Sequence, residues 1–183
     1  MTQPSPSPSP PLRRVVLLGM MGAGKTATGT ALAGRLGWSF WDNDVELQRD
    51  TGRDARTLVA EQGADREHAE ETRVLLEGLR REEPSVVAAP GSAVLDPAAV
   101  EALQREWVVF LRARVETLAR RVRAGHHRPF LDADVEVTLH QLEAQRHGLY
   151  EALADLVVDV DDLSPEQVVE RILAAGPFGG SRR

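Results

Sequence analysis

The run Val15-Val16-Leu17-Leu18-Gly19-Met20-Met21-Gly22-Ala23-Gly24-Lys25-Thr26 constrains the fold more than any other part of the chain. An apolar, partly β-branched stretch breaks into a glycine loop of the form G-x-x-x-x-G-K-T, and the loop opens an amphipathic helical pattern over residues 25–36. Strand, loop and helix in that order bring successive backbone N–H groups and a helix N-terminus to one point, where they favour an anion such as a nucleotide phosphate. The glycines allow the close backbone approach this needs.

The same alternation of short apolar runs and longer helical patterns continues along the chain, with further strands expected at 38–41, 86–89, 107–111 and 156–160. Helices are expected at 45–50, 57–81, 97–105, 115–123, 135–155 and 164–175, with Asp96 before Pro97 and Ser164 before Pro165 as N-cap signals. Repeated strand–helix units imply an α/β fold, a five-stranded parallel sheet flanked by helices. At 183 residues and 20.0 kDa the chain fits one domain, placed at 13–175. Residues 1–12 hold five of the eleven prolines, alternating with serine, and read as a solvated polyproline-like tail; residues 176–183 read as a second flexible tail.

Composition narrows the partners. No apolar run approaches the roughly 18 residues of a membrane span. Lys and Arg number 22 against 28 acidic residues, a net charge of −6, which is the wrong balance for a nucleic-acid footprint. Without cysteine there is no disulfide framework, thiolate metal site or cysteine nucleophile, a usage that fits the reducing cytoplasm. The expectation is a cytoplasmic protein with neither nucleic acid nor membrane as partner. Of the 22 basic residues 21 are Arg and one is Lys, and that lysine stands in the glycine loop. There its compact ammonium would reach the β- and γ-phosphates of a nucleotide, while the Thr26 hydroxyl would ligate Mg²⁺.

GTPases, ATPases and small-molecule kinases share such a loop. The guanine-reading Asn-Lys-x-Asp needs a second lysine, which the sequence lacks. Leu156-Val157-Val158-Asp159 has the outline of an ATPase strand ending in Asp, but so near the C-terminus it reads as the last strand of the sheet. Asp42-x-Asp44 falls at the carboxyl edge of the second strand, where ligands bind in open α/β folds. Its two carboxylates suit a Mg²⁺ water shell and a substrate hydroxyl, and equally suit an acidic cap on the following helix.

The glycine loop, Trp41-Asp42-Asn43-Asp44 and Thr51-Gly52-Arg53 follow in the order and spacing of the shikimate kinase family. Further on, Arg128-Pro129-Phe130-Leu131 resembles the family's Arg-Pro-Leu-Leu lid, and Arg146-His147-Gly148-Leu149-Tyr150 resembles its Arg-x-x-Leu-Tyr segment. The resemblance covers roughly residues 13–160. It implies a P-loop kinase fold with a moving lid, a monomeric state, and transfer of the γ-phosphoryl of ATP to the 3-hydroxyl of shikimate, a small-molecule substrate. It also implies roles: Lys25, Asp44 and Arg128 in catalysis; Gly22, Ala23, Gly24, Lys25, Thr26, Ala27, Arg121 and Arg128 at the nucleotide; Thr26 and Asp42 at Mg²⁺; Asp44, His68, Gly91 and Arg146 at the acceptor. His126 and His127 read as polar lid residues.

Two departures fall in the acceptor motifs. The family's Gly-Glu-x-x-Phe-Arg-x-x-Glu corresponds to Gly63-Ala64-Asp65-Arg66-Glu67-His68-Ala69-Glu70-Glu71, which puts His68 where a guanidinium is expected. Recruiting Arg66 instead would turn the arginine about 200° around a helix. The family's Gly-Gly-Gly appears as Pro90-Gly91-Ser92. These departures leave two further readings beside shikimate phosphorylation: a kinase for another small polyol or sugar acid such as gluconate, and a nucleotide-binding regulator without turnover.

Overall fold

A computed structural model describes residues 12–124 and 135–178. Five strands, β1 (Arg14–Leu18), β2 (Ser39–Asp42), β3 (Ser85–Ala88), β4 (Trp107–Arg112) and β5 (Leu156–Asp159), form one parallel sheet in the order β2-β3-β1-β4-β5. At its centre Val16 pairs with Val87 on one side and Val108 on the other. All five residues of β1 are buried, as a strand covered on both faces requires, and this is why Val15 to Leu18 reads as a continuous apolar run. Leu156-Val157-Val158-Asp159 is a strand of the sheet, as expected from the sequence, and it lies at the edge.

The helices are α1 (Lys25–Leu36), α2 (Asn43–Thr51), α3 (Ala55–Gln62), α4 (Ala64–Arg80), α5 (Pro97–Leu103), α6 (Val115–Ala124), α7 (Val135–Leu153) and α8 (Pro165–Ala175). Asp96 caps α5 by accepting from the N–H groups of Ala98 and Ala99 at 2.8 and 3.0 Å. Ser164 opens α8 in a capping box with Gln167.

The single helix expected over 57–81 is two. Its periodicity continues, but Gly63 adopts φ 87° and ψ 163°, a backbone region open almost only to glycine, and the chain turns there before α4 begins. The helix expected at 45–50 starts two residues earlier, because Asp42 accepts from the N–H of Asp44 and caps α2. A 3₁₀ turn at Ala93–Leu95 had no sequence signal. Packing also runs past residue 175: the Phe178 ring meets Trp107 and Trp38 edge-on, at 5.5 and 6.3 Å between centroids.

The chain leaves β1 toward β2 and leaves β3 toward β4, so the connections diverge from neighbouring strands. A crevice opens at their carboxyl ends, where open α/β sheets bind ligands. Among the described residues no helix is long and apolar enough to cross a membrane. The expected lid from Arg128 to Leu131, His126, His127 and the proline-rich stretch up to residue 11 lie outside the described residues.

Candidate functional site

The loop after β1 is shaped by what surrounds it. Gly19 has φ 144°, and a Cβ there would come within 2.7 Å of the Leu111 carbonyl oxygen on β4. Gly24 is the left-handed N-cap of α1 at φ 93°, and no side chain caps that helix. Its first-turn N–H groups therefore face the crevice, the arrangement that attracts phosphate. Lys25 folds back over the loop, donating from Nζ to the carbonyls of Gly19 at 2.8 Å and Met20 at 3.3 Å. An anion at the helix terminus would compete for that ammonium with two neutral acceptors, and charge favours the anion.

Thr26 Oγ1 donates to Asp42 Oδ2 at 2.7 Å, while Asp42 Oδ1 accepts from Asp44 N at 3.0 Å. The cap reading of Asp42 holds, and the same carboxylate also accepts from the loop's hydroxyl. A hydroxyl and a carboxylate side by side form the hard oxygen set that Mg²⁺ shares with phosphates. Arg121, from α6, reaches the carbonyls of Gly22 at 3.4 Å and Val160 at 2.8 Å. A cavity of about 270 Å³ is lined by Gly22, Gly24, Lys25, Thr26, Ala27, Asp42, Asp44, Ala88, Ala89 and Arg121. Among the described residues Ala23 is the nucleotide candidate outside this lining; its side chain is buried and its N–H is bonded to Met20 O at 3.1 Å.

The far side of the crevice is built from side chains on separate elements. Asp44 stands exposed in the first turn of α2. Arg146, from α7, brings Nη1 within 3.4 Å of where a Gly91 Cβ would be, and its buried Nε has no hydrogen-bond partner. Tyr150, one turn later, donates to Gly91 O at 2.7 Å, and burial pushes its hydroxyl up to about 12. Gly91 is thus the surviving glycine at the point of closest approach.

From α4, Glu67 and Glu71 sit one turn apart on the same buried face, 5% and 7% exposed. Ser92 Oγ donates to Glu71. Burial pushes Glu67 up to about 8, with the neighbouring Glu71 and Asp44 adding to it and Arg146 opposing. Glu71 is also pushed up by burial, but hydrogen bonds from Ser92 and Glu67 hold it back. His68 lies at the rim, half exposed, with Nε2 3.4 Å from Glu67. Arg66 faces outward and pairs with Glu70 at 2.5 Å, so α4 carries no arginine into the crevice at that position.

The sequence reading missed Glu67, Glu71 and Tyr150. Glu67 had a signal: it occupies the position of Phe in the nine-residue motif, and an acid in place of an aromatic changes what a pocket can hold. Glu71 and Tyr150 matched their motifs and drew no attention for that reason. Arg128, expected at the transferring phosphate, lies outside the described residues.

Comparison with known proteins agrees with this geometry. The family model described as shikimate kinase matches residues 21–176. A shikimate kinase of Microcystis aeruginosa is 38% identical over 165 residues, covering 89% of this chain and 86% of its own. One from Pelotomaculum thermopropionicum is 36% identical over 164 residues, covering 88% and 94%. The structure of shikimate kinase from Acinetobacter baumannii in complex with shikimate superposes with a TM-score of 0.84 at 32% identity, covering 88% of this chain and 91% of that one. Matched over most of its length by relatives of nearly its own size, and sharing their fold, this chain is a member of the shikimate kinase family.

Proposed function

We propose that the protein phosphorylates the 3-hydroxyl of shikimate with ATP, giving 3-phosphoshikimate and ADP. The observation that carries this reading is a cavity that reaches from the phosphate loop to Asp44, so that a donor phosphate and an acceptor hydroxyl meet in one space. Shikimate kinases use ATP with Mg²⁺, and the residues present fit both. The loop amides and Lys25 would hold the phosphates, while Thr26 and Asp42 would hold the cation. When bound, the metal neutralises phosphate charge.

The chain's own groups do the rest. Lys25 turns from two carbonyls toward the phosphates and stabilises charge that grows during transfer. Asp44 orients the acceptor hydroxyl and takes its proton. Arg146, poised beside Gly91, pairs with the acceptor carboxylate, with Gly91 allowing the ring close to backbone. Ala27 and Arg121 border the nucleotide, and the family resemblance assigns Arg128, outside the described residues, to the transferring phosphate. The enzyme works in the cytoplasm as a monomer on a small molecule, with no nucleic-acid or membrane partner. Its domain spans residues 13–175, with Phe178 packed against it.

The test is ADP release with shikimate, gluconate and nucleosides as acceptors, in the wild type and in Asp44→Asn. Turnover with shikimate, reduced at least about 100-fold in the variant, is the expected result. Turnover confined to another polyol would overturn the acceptor. A fully active Asp44→Asn enzyme would reduce Asp44 to a residue of the helix start.

A further inference from the structure

The acceptor crevice contains two buried acids side by side. Glu67 and Glu71 stand one turn apart on the buried face of α4 with carboxyl oxygens within 4.8 Å of each other, and Ser92 bonds Glu71 from the other side. An ionised carboxylate only accepts hydrogen bonds, so two buried carboxyls this close are satisfied best by one proton held between them. Two like charges in contact cannot both ionise cheaply, and burial raises the cost further. Glu71 already accepts from Ser92, which makes it the better acceptor and places the proton on Glu67.

The surroundings do not supply a substitute for that proton. From α2 the pair faces Asp44, a third acid; from α4 itself it faces His68, half exposed at the rim. The turn after β3 contributes Ser92, which is uncharged. From α7 come Arg146, the one fixed cation among the described groups acting on the pair, and Tyr150, with its hydroxyl committed to Gly91. With the proton in place the Glu67 carboxyl sets no charge against Arg146. Without it, Arg146 faces the Glu67 carboxylate with Glu71 and Asp44 close by, and an incoming carboxylate must bind against an excess of negative charge.

Resting on the reading of shikimate as acceptor, we propose that Glu67 is a specificity-determining residue: a carboxylate-bearing acceptor enters beside Arg146 only while Glu67 and Glu71 share a proton. An uncharged acceptor of the same shape escapes this requirement. The pair thus selects by charge state, and loss of its proton shuts the site to anions while leaving it open to neutral polyols.

The experiment measures acceptor KM at saturating ATP and Mg²⁺ from pH 6.5 to 9.5, using shikimate and its neutral carboxamide, in the wild type and in Glu67→Gln. For one linked proton leaving near pH 8, wild-type KM for shikimate rises roughly tenfold between pH 7 and pH 9. It stays level for the carboxamide, and it stays level for both acceptors in Glu67→Gln, whatever the absolute KM. A ¹³C-carboxyl NMR titration of the wild type without acceptor provides a readout independent of turnover and of the variant's folding; one of the two glutamates should titrate above pH 7. The proposal is overturned if both carboxyls ionise below about pH 5.5, or if KM for shikimate is level in the wild type. It is equally overturned if Glu67→Gln keeps the wild-type rise. No shikimate turnover at any pH, with the NMR titration as expected, overturns the acceptor reading, and the coupling built on it falls too.

Discussion

The two halves of the crevice are made in different ways. The phosphate side is one continuous stretch in which backbone does the recognising: left-handed glycines, a helix terminus and a lysine next to its target. The acceptor side draws Asp44 from α2, Glu67 and Glu71 from α4, Gly91 and Ser92 from the turn after β3, and Arg146 from α7. A backbone site tolerates change in neighbouring side chains but not in its glycines. A side-chain site keeps its shape while its chemistry drifts, and in this chain the drift replaces an aromatic and a guanidinium with an acid and an imidazole.

The contrast is broken most forcefully at Lys25. Lys25→Met should lower kcat at least about 100-fold with the circular dichroism spectrum unchanged, because the side chain acts on phosphate charge and supports no part of the apolar sheet. Retention of more than about a tenth of the wild-type rate would show that loop amides suffice. The acceptor side should respond in KM instead. Arg146→Ala removes a charge-assisted pair worth about 1.5–3 kcal/mol and should raise shikimate KM about 10- to 150-fold. A fall in kcat at unchanged KM would move Arg146 from acceptor binding to phosphoryl transfer, and the two halves would no longer be separable.

What was legible in the sequence follows the same division. All five strands fall within a residue or so of their expected bounds, because buried parallel strands leave uninterrupted apolar runs. Lys25 and Thr26 open α1 at the end of the glycine loop, as the motif implies, since a local backbone pattern carries its geometry with it. The break at Gly63 was hidden by a helical periodicity that continues across it. Glu67 was hidden for another reason: the missing guanidinium at 68 drew the argument, while the residue before it, on the buried face of α4, takes the deeper position. One residue's step around a helix decides which side chain enters the crevice, and no pairwise spacing reveals that before the helix is packed.

A smaller effect concerns stability. The Glu67 carboxyl moves from 4.5 to about 8 on folding, so the folded state holds its proton more tightly. That contribution is fully present below about pH 4.5 and is lost as pH rises through about 8. Glu106, also pushed up by burial, adds a slope of the same sign, which is why the comparison must be with a variant. The urea midpoint of the wild type should fall between pH 5 and pH 9 more steeply than that of Glu67→Gln. Parallel curves would mean that the pair ionises in the folded state at ordinary pH, and the acceptor side would lose its distinguishing charge.

The smallest expected effect tests whether the acceptor side depends on backbone at all. Gly63 turns the chain into α4 at φ 87°, and a Cβ added there meets nothing within 4 Å. Gly63→Ala therefore carries only conformational strain, about 1–3 kcal/mol, or a Tm lowered by roughly 2–12 °C for a domain of this size. At Gly19, by contrast, an added Cβ would lie 2.7 Å from a carbonyl oxygen of β4, a clash that only main-chain movement relieves. Gly19→Ala should consequently raise the KM for ATP as well as lower Tm, since the moved main chain is the phosphate loop itself. Gly63→Ala should leave the KM for ATP alone; any kinetic change should appear in the KM for shikimate, because strain at Gly63 is relieved by tilting the first turn of α4, where Glu67 sits. If Gly63→Ala raised both KM values equally, the two halves of the crevice would have to be treated as one mechanical unit.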